Sequence, residues 1–72
     1  MDFQTEILKW LLQHYTVTIE NDEDYTKYGD SFYLEFFEYG KAIYIDISIY
    51  KDFEQAKREI RYKIDKEIFN IA

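Results

Sequence analysis

The residues of this chain best suited to chemistry are two carboxylates set among aromatic rings. Tyr33 and Phe37 flank Glu35 at two-residue spacing, and Tyr44 precedes Asp46 by the same spacing. Two carboxylates held close together can share a proton or attract a cation, because both cannot ionise without cost. A flat, exposed pair of strands has no pocket that excludes water, so catalysis is disfavoured. We interpret the acids as part of a binding surface and predict that the protein is not an enzyme.

Few other residue types could carry a reaction. The chain has no cysteine and one histidine, so thiol chemistry is excluded and a reducing compartment is favoured. His14 stands at the end of a predicted helix, where a cation meets the negative end of the helix dipole. Ser31 and Ser48 have no plausible base and no oxyanion donors. These residues predict no catalytic site.

A further acidic group, Asp22, Glu23 and Asp24, looks at first like the start of a calcium loop. The EF-hand pattern fails, because the sixth position from Asp22 is Lys27 rather than glycine and the twelfth is Tyr33 rather than glutamate. We therefore predict no metal and no cofactor. The three acids are interpreted as part of a solvated loop that supplies negative charge to a partner-binding surface.

The hairpin that must position the first two acids is predicted over Ser31–Tyr50. Its second half alternates polar and apolar residues without a break, which is typical of a half-buried strand. Gly40 and Lys41 suit a two-residue type II′ turn, because its first central position needs a positive φ. This turn predicts a register in which Glu35 lies directly opposite Asp46, and like charges in that position cost stability.

One face of this hairpin is predicted to be core and the other to be exposed. The core face collects Phe32, Leu34, Phe36, Ile43, Ile45, Ile47 and Ile49. The exposed face, interpreted as the partner-binding surface, collects Tyr33, Glu35, Phe37, Tyr39, Tyr44, Asp46 and Tyr50. Five aromatic side chains on one small face form a contiguous patch, which is typical of an interaction site.

A helix and a strand are predicted before the hairpin. Apolar residues at helical spacing predict a first helix that is capped by Asp2 and runs to about Gln13. Alternation then predicts a strand over Tyr15–Asn21, with its apolar residues facing in. Residues 21–30 follow as a polar loop.

A last helix is predicted over Phe53–Ile71, with Asp52 and Gln55 as a variant capping box. Its apolar stripe is Phe53, Ala56, Ile60, Ile64, Ile68 and Ile71. Short connections favour an antiparallel meander with strand order 1-2-3. The predicted fold is one α+β domain over residues 1–72, in the order α-β-β-β-α, with both helices on one face of the sheet.

The charge of the chain is uneven. Its formal net charge is −6, but residues 1–50 hold ten acids and three bases whereas residues 51–72 hold five acids and six bases. Phosphate contact needs a basic footprint, so direct nucleic-acid binding is disfavoured and a basic protein partner is favoured. No apolar run approaches a membrane span, and the first residues lack the features of a signal peptide. We expect no membrane partner and a cytoplasmic protein.

The exposed face leaves several assignments open. A basic foreign protein could dock on it, and an immunity protein or antitoxin would use the same physics against a basic toxin. A homodimer, sheet on sheet, would bury Glu35 and Asp46 beside their own copies across the two-fold axis, which is costly. The face could also stay wet with no partner, in which case the acidity serves solubility.

The layout resembles small acidic inhibitors made by phages and other mobile elements, including anti-CRISPR proteins that block type II nucleases. The resemblance is carried by the helix Phe3–Gln13 running directly into the strand residues His14–Ile19, by the acidic run Asn21–Asp24 and by the three-strand meander. Such inhibitors can imitate the charge of DNA and occupy a basic nucleic-acid groove. The resemblance implies an inhibitor of a basic host protein, such as a nuclease, in a bacterial cytoplasm. The chain departs from it in its basic last helix and its aromatic face, where a DNA mimic would show a denser array of carboxylates.

Overall fold

Two helices pack on one face of a three-stranded antiparallel sheet. The computed structural model describes residues 3–21 and 31–71. Its elements are α1 (Phe3–His14), β1 (Thr18–Asn21), β2 (Ser31–Phe36), β3 (Lys41–Asp46) and α2 (Phe53–Ile64). The strands lie in the order β1-β2-β3. The predicted α+β class and meander are confirmed.

The inner face of the sheet and the apolar stripes of both helices form one core. Side chains alternate along a strand and recur every three or four residues along a helix, so each element buries one side. The buried apolar side chains are Ile7, Trp10, Leu11, Phe32, Leu34, Phe36, Ile43, Ile45, Ile47, Ala56, Ile60, Ile64 and Ile68. The period-two and helical patterns therefore predicted most of the core correctly.

The first helix and strand agree with the prediction in outline. α1 begins at Phe3 and ends at His14. The paired part of the first strand begins at Thr18 rather than at Tyr15. The predicted inward residues are half-buried against the core: Tyr15, Val17 and Ile19. The predicted cap Asp2 and the loop residues 22–30 lie outside the described residues.

The register of the β2–β3 hairpin differs from the prediction. Phe36 pairs with Lys41 rather than with Ile45, so residues 37–40 connect the strands. Gly40 follows a short 3-10 turn in the left-handed conformation (φ 62°, ψ 32°), which is not the geometry of a type II′ turn. Longer hairpin loops of this kind are common alternatives to a two-residue loop. The pairing shifts by an even number of residues, so the inward and outward faces of the paired strands are retained.

The third strand ends earlier than predicted. β3 stops at Asp46, which caps a 3-10 turn over Ile47–Ile49. Ile47 is 2% exposed, as predicted for the core, but Ile49 is 70% exposed. A 3-10 turn repeats every three residues, so residues two apart no longer share a side. The prediction that Ile49 belongs to the core is wrong.

The start of α2 follows the predicted capping pattern. The Asp52 carboxylate accepts a hydrogen bond from the backbone N–H of Gln55 at 2.7 Å. The Gln55 side chain reaches back as expected, but it accepts from the backbone N–H of Lys51 rather than from that of Asp52. The cap accounts for two backbone N–H groups at this end of the helix.

The end of the last helix differs from the prediction. After α2 the chain widens into a π turn over Asp65–Phe69, and Asn70 ends it in the left-handed conformation (φ 58°). A π turn holds more residues than an α turn, so the inward side moves along the chain. Phe69, predicted to lie off the stripe, packs against the core, whereas Ile71, predicted on the stripe, is 73% exposed. The prediction of one regular helix over Phe53–Ile71 is wrong in this last part.

Two lysine side chains join β3 to the last helix. Lys63 Nζ donates to the backbone carbonyl of Tyr44 at 2.8 Å. Lys41 Nζ donates to the backbone carbonyl of Glu67 at 3.2 Å. Both ammonium groups donate to main-chain oxygens, and these bonds help to hold strand and helix together.

Candidate protein-binding surface

The side of the sheet that faces away from the helices is the candidate site. Among residues 3–21 and 31–71, no helix or strand packs on it. We define the outer sheet face by the outward side chains of the three strands: Thr18, Glu20, Ser31, Tyr33, Glu35, Ala42, Tyr44 and Asp46. Four residues of the predicted hairpin surface lie on it: Tyr33, Glu35, Tyr44 and Asp46.

A pair of tyrosines occupies the middle of the outer sheet face. Tyr33 and Tyr44 are direct partners across β2 and β3, with ring centroids 5.3 Å apart and ring planes inclined by 59°. The Tyr44 hydroxyl donates to Ser31 Oγ at 2.9 Å, and Ser31 is buried. Tyr44 is thus half-buried, whereas Tyr33 is 39% exposed. Tyr33 is the ring that this pair presents to solvent.

The predicted pairing of Glu35 with Asp46 is wrong. Glu35 lies between Thr18 of β1 and Ala42 of β3, because the hairpin register is shifted. Its acidic neighbour is instead Glu20, which projects from the same face of β1 two residues beyond Thr18. Diagonal neighbours across two strands are within reach of long side chains. Two carboxylates do meet on this face, but they come from different strands than predicted.

The Glu20–Glu35 pair has an electrostatic cost. Partial loss of hydration raises the pKa of the Glu35 carboxyl, and Glu20 raises it further by repulsion and by a hydrogen bond between the two side chains. The like charge of Glu20 thus disfavours the ionised form of Glu35. A cation placed between them would relieve the repulsion.

Asp46 has a structural partner in its own turn. Its Oδ1 accepts from the backbone N–H of Ser48 at 3.0 Å and from Ser48 Oγ at 2.6 Å. These bonds hold the 3-10 turn that follows β3. One carboxylate oxygen of Asp46 is therefore already engaged before any partner arrives.

Phe37 stands at the hairpin end of the outer sheet face. It leaves the strand with the 3-10 turn over Phe37–Tyr39 and is 73% exposed. A shallow hollow of about 220 Å³ lies beside it, lined by Glu35, Phe36, Phe37, Gly40, Lys41 and Ala42. Because the hollow includes Glu35 and Ala42, Phe37 borders the outer sheet face.

Tyr39 and Tyr50 do not share this face, contrary to the prediction. The Tyr39 ring lies 5.3 Å from the ring of Phe69, at the end of the last helix. Tyr50 follows the 3-10 turn after β3 and packs against the core. Burial raises the pKa of the Tyr50 phenol, and the charges of Glu59 and Asp46 add to the rise. The shorter strands explain both departures, because neither tyrosine is part of a strand.

The predicted acidic loop lies outside the part of the chain that the structure describes. Asp22, Glu23 and Asp24, predicted to supply charge, lie outside the described residues. Within the described ranges, no group of three histidine, cysteine or acidic side chains could hold a metal ion. None of the helices described is long and apolar enough to cross a membrane.

Sequence reasoning left Glu20 out of the candidate site. The signal was present, because Thr18 and Glu20 alternate with inward residues and so face the same side as Glu35. The alignment of the two strands decides which acid meets Glu35, and a single sequence does not give it.

The exposed side of α2 carries the opposite charge. Arg58 and Arg61 are exposed, and Lys57 forms an ion pair with Glu54 at 3.1 Å. The Arg61 guanidinium lies 5.7 Å from the centre of the Trp10 ring. Because α2 packs on the inner face of the sheet, these cations lie on the other side of the molecule from the outer sheet face.

Comparison of the chain with protein-family models, curated proteins and solved structures finds no match. Function is therefore inferred from the chemistry of the outer sheet face itself.

Proposed function

We propose that this protein is a stoichiometric binding protein, which docks its outer sheet face and Phe37 onto a basic protein surface and blocks that surface. The observation that carries the proposal is the exposed ring of Tyr33 beside the Glu20–Glu35 carboxylate pair. An uncovered face with both aromatic and acidic side chains offers contact area and charge to one partner. The proposal assigns no catalytic chemistry to the protein.

The acids favour a basic partner. The pKa of Glu35 is raised in the free protein, partly by Glu20, so an incoming cation would stabilise the ionised form of both groups. An arginine suits this position, because its planar guanidinium can donate to two carboxylates at once. The net charge of −6 would also speed the encounter with a basic surface.

The aromatic side chains supply the expected binding energy. Tyr33 is 39% exposed and Phe37 is 73% exposed, so both can lose considerable area to water on docking. Tyrosine is enriched among the few residues that dominate interface energies, and truncating such a residue commonly costs about 2 kcal/mol or more. The Tyr44 ring packs against the Tyr33 ring, and the hydrogen bond from Tyr44 to Ser31 holds Tyr44 in that position.

Proteins that handle nucleic acid fit the partner class, because their working surfaces are basic. The resemblance to small acidic inhibitors of phages and mobile elements, including anti-CRISPR proteins, agrees with such a partner in a bacterial cytoplasm. An immunity protein or antitoxin against a basic toxin would use the same face. A homodimer is less favourable, because two-fold packing on this face would bring together the Glu20–Glu35 pairs of both copies.

The proposal is tested by affinity capture from a bacterial lysate followed by a binding measurement with the purified captured protein. The test variant is Tyr33→Ala combined with Phe37→Ala. The control is Tyr62→Ala, which removes a 55% exposed aromatic ring from the helical side. Circular dichroism checks that all three proteins are folded.

We expect a basic protein to bind at one-to-one stoichiometry and the double variant to bind at least about 30-fold more weakly, a loss of about 2 kcal/mol. The control should bind as the wild type does. Equal affinity of the double variant and the wild type would refute the assignment of the face. Capture of further copies of this chain alone would favour the homodimer instead.

A further inference from the structure

A second pocket lies at the end of the molecule where both helices finish. It has a volume of about 160 Å³ and is lined by His14, Tyr15, Thr16, Phe36, Glu38, Tyr39 and Phe69. Four of these seven residues carry a phenyl or phenol ring, and one carries a carboxylate. None of the outward strand side chains lines it, so it is separate from the outer sheet face.

Aromatic side chains line most of this pocket. Phe36 is 3% exposed, Tyr15 and Phe69 are half-buried, and Tyr39 is 48% exposed. Phe69 lies 5.3 Å from Tyr39, 6.2 Å from Phe36 and 6.4 Å from Tyr15, measured between ring centroids. The planes of Tyr39 and Phe69 are inclined by 63° and those of Tyr15 and Phe36 by 76°. The four rings therefore form one aromatic cluster, with ring planes inclined to one another, that borders the pocket.

The electrostatics of the pocket favour a positive ligand. α1 ends at His14 and the π turn ends at Phe69, so the C-terminal ends of both helical segments border the pocket. The end of α1 carries partial negative charge, equivalent to about half an elementary charge in a regular helix, whereas the Glu67 carbonyl near the end of the last helix already accepts from Lys41 Nζ. Glu38 adds a full negative charge at the exposed rim.

We infer that this pocket binds an organic cation with an alkylated ammonium head group. The aromatic rings of the pocket and Glu38 would both contact that group. Aromatic side chains that surround a quaternary ammonium group are an established mode of recognition, because the faces of the rings are electronegative. The size agrees, since a cavity of about 150 Å³ accepts a benzene molecule and a trimethylammonium group has similar bulk. The head group belongs either to a free small molecule or to a methylated lysine of another protein.

The test is a titration of ¹⁵N-labelled protein followed by NMR, with choline chloride as the probe. Its uncharged isostere, 3,3-dimethylbutan-1-ol, is the matched control ligand. We expect saturable shifts for Tyr15, Glu38, Tyr39 and Phe69 with choline and none with the alcohol. A parallel titration with N-acetyl-trimethyllysine amide distinguishes the two sources, because tighter binding of this probe than of choline indicates a protein side chain.

Variants separate the contributions of the ring and the charge. Tyr39→Leu should weaken choline binding about threefold to tenfold, whereas Tyr39→Phe, which keeps the ring, should bind as the wild type does. Glu38→Gln should weaken it about twofold to fivefold, and Glu54→Gln, the same change at the far end of α2, should have no effect. Equal shifts with the uncharged alcohol, or unchanged binding by Tyr39→Leu, would overturn the inference. The Tyr33→Ala and Phe37→Ala double variant should bind choline normally, so this result is independent of the proposed docking face.

Discussion

Glu35 is an acid whose ionised form is disfavoured in the folded protein. Its side chain is partly buried as a whole, and the Glu20 side chain lies near its carboxyl on the same face. Both effects raise the pKa of Glu35 in the folded protein above its value in the unfolded chain. A group with a raised folded pKa stabilises the fold when it is protonated, and that contribution is lost as the pH rises through the folded pKa. At neutral pH the ionised pair therefore weakens the fold, which is a common property of residues that serve binding.

We predict that Glu35→Gln stabilises the protein at about pH 7 and has little effect at about pH 4, where the carboxyl is largely protonated already. The reason is that glutamine removes the charge but keeps the shape of the protonated side chain. The measurement is the midpoint of urea unfolding at both pH values.

The control for this prediction is Glu38→Gln, which removes an equal charge from the hairpin turn. It should raise the neutral-pH midpoint less than Glu35→Gln does, because Glu38 does not lie against Glu20. A neutral-pH midpoint that falls in Glu35→Gln would show that the carboxylate stabilises the free protein.

Sequence alone could predict that carboxylates meet on the exposed side of the hairpin, because side-chain direction alternates strictly along a strand. It could not predict that Glu20 rather than Asp46 is the neighbour of Glu35. That choice depends on the alignment of β1 with β2 and on the length of the β2–β3 connection. Alternation is insensitive to a shift of four residues, so the wrong register produced the right faces.

At the scale of elements, turns decide the departures from the predicted pattern. The left-handed Gly40, the 3-10 turn at Ile47–Ile49 and the π turn at Asp65–Phe69 each interrupt a regular period. Each interruption moves at least one apolar or aromatic side chain to another side of the molecule. Residue patterns describe regular elements well, but the energies that favour one turn over another are small and depend on tertiary contacts.

The turn after β3 makes a clear prediction about two isoleucines. Ile47→Ala should cost about 2–5 kcal/mol of unfolding free energy, since Ile47 is 2% exposed. Ile49→Ala should change it by no more than about 0.5 kcal/mol, since Ile49 is 70% exposed. Urea unfolding of both variants provides the measurement. Equal losses in the two variants would instead support the longer predicted strand.

At the scale of the whole molecule, every described element contributes to one core. Trp10 and Ile60 come from different helices, yet both belong to the cluster that includes Phe32 of the sheet. A small domain with a single core is expected to unfold in one cooperative step. The exposed side chains of the outer sheet face, such as Tyr33, lie outside this core, so variants of them should leave the fold intact.

We therefore predict that Trp10 fluorescence and far-UV circular dichroism report the same unfolding transition. Ile60→Ala should lower both midpoints together, with a loss of about 2–5 kcal/mol, because it opens a cavity between α2 and the sheet. The control is Tyr62→Ala on the exposed side of the same helix, which should leave both midpoints almost unchanged. Separate transitions for the two probes would show that the helices and the sheet unfold independently.

The candidate site was only partly accessible to sequence reasoning. The uncovered face could be predicted because the chain has only two helices. Each helix has a single apolar stripe, and both stripes are needed to cover the inner face of the sheet. Tyr33 and Tyr44 followed from alternation. The separation of Tyr39 from this face did not follow, because it depends on its contact with Phe69 across the hairpin and the last helix.

The bond from Lys63 to the carbonyl of Tyr44 has a consequence for the behaviour of the chain at high concentration. β3 is an edge strand of the sheet, and an exposed edge strand can template the growth of amyloid fibrils. A charged ammonium group held against its backbone opposes that growth. On the other side, β1 has only four residues and offers a short template. If the protein is the one-to-one binding protein proposed above, it must accumulate to at least the level of its target, and resistance to fibril formation would then be a condition of its action.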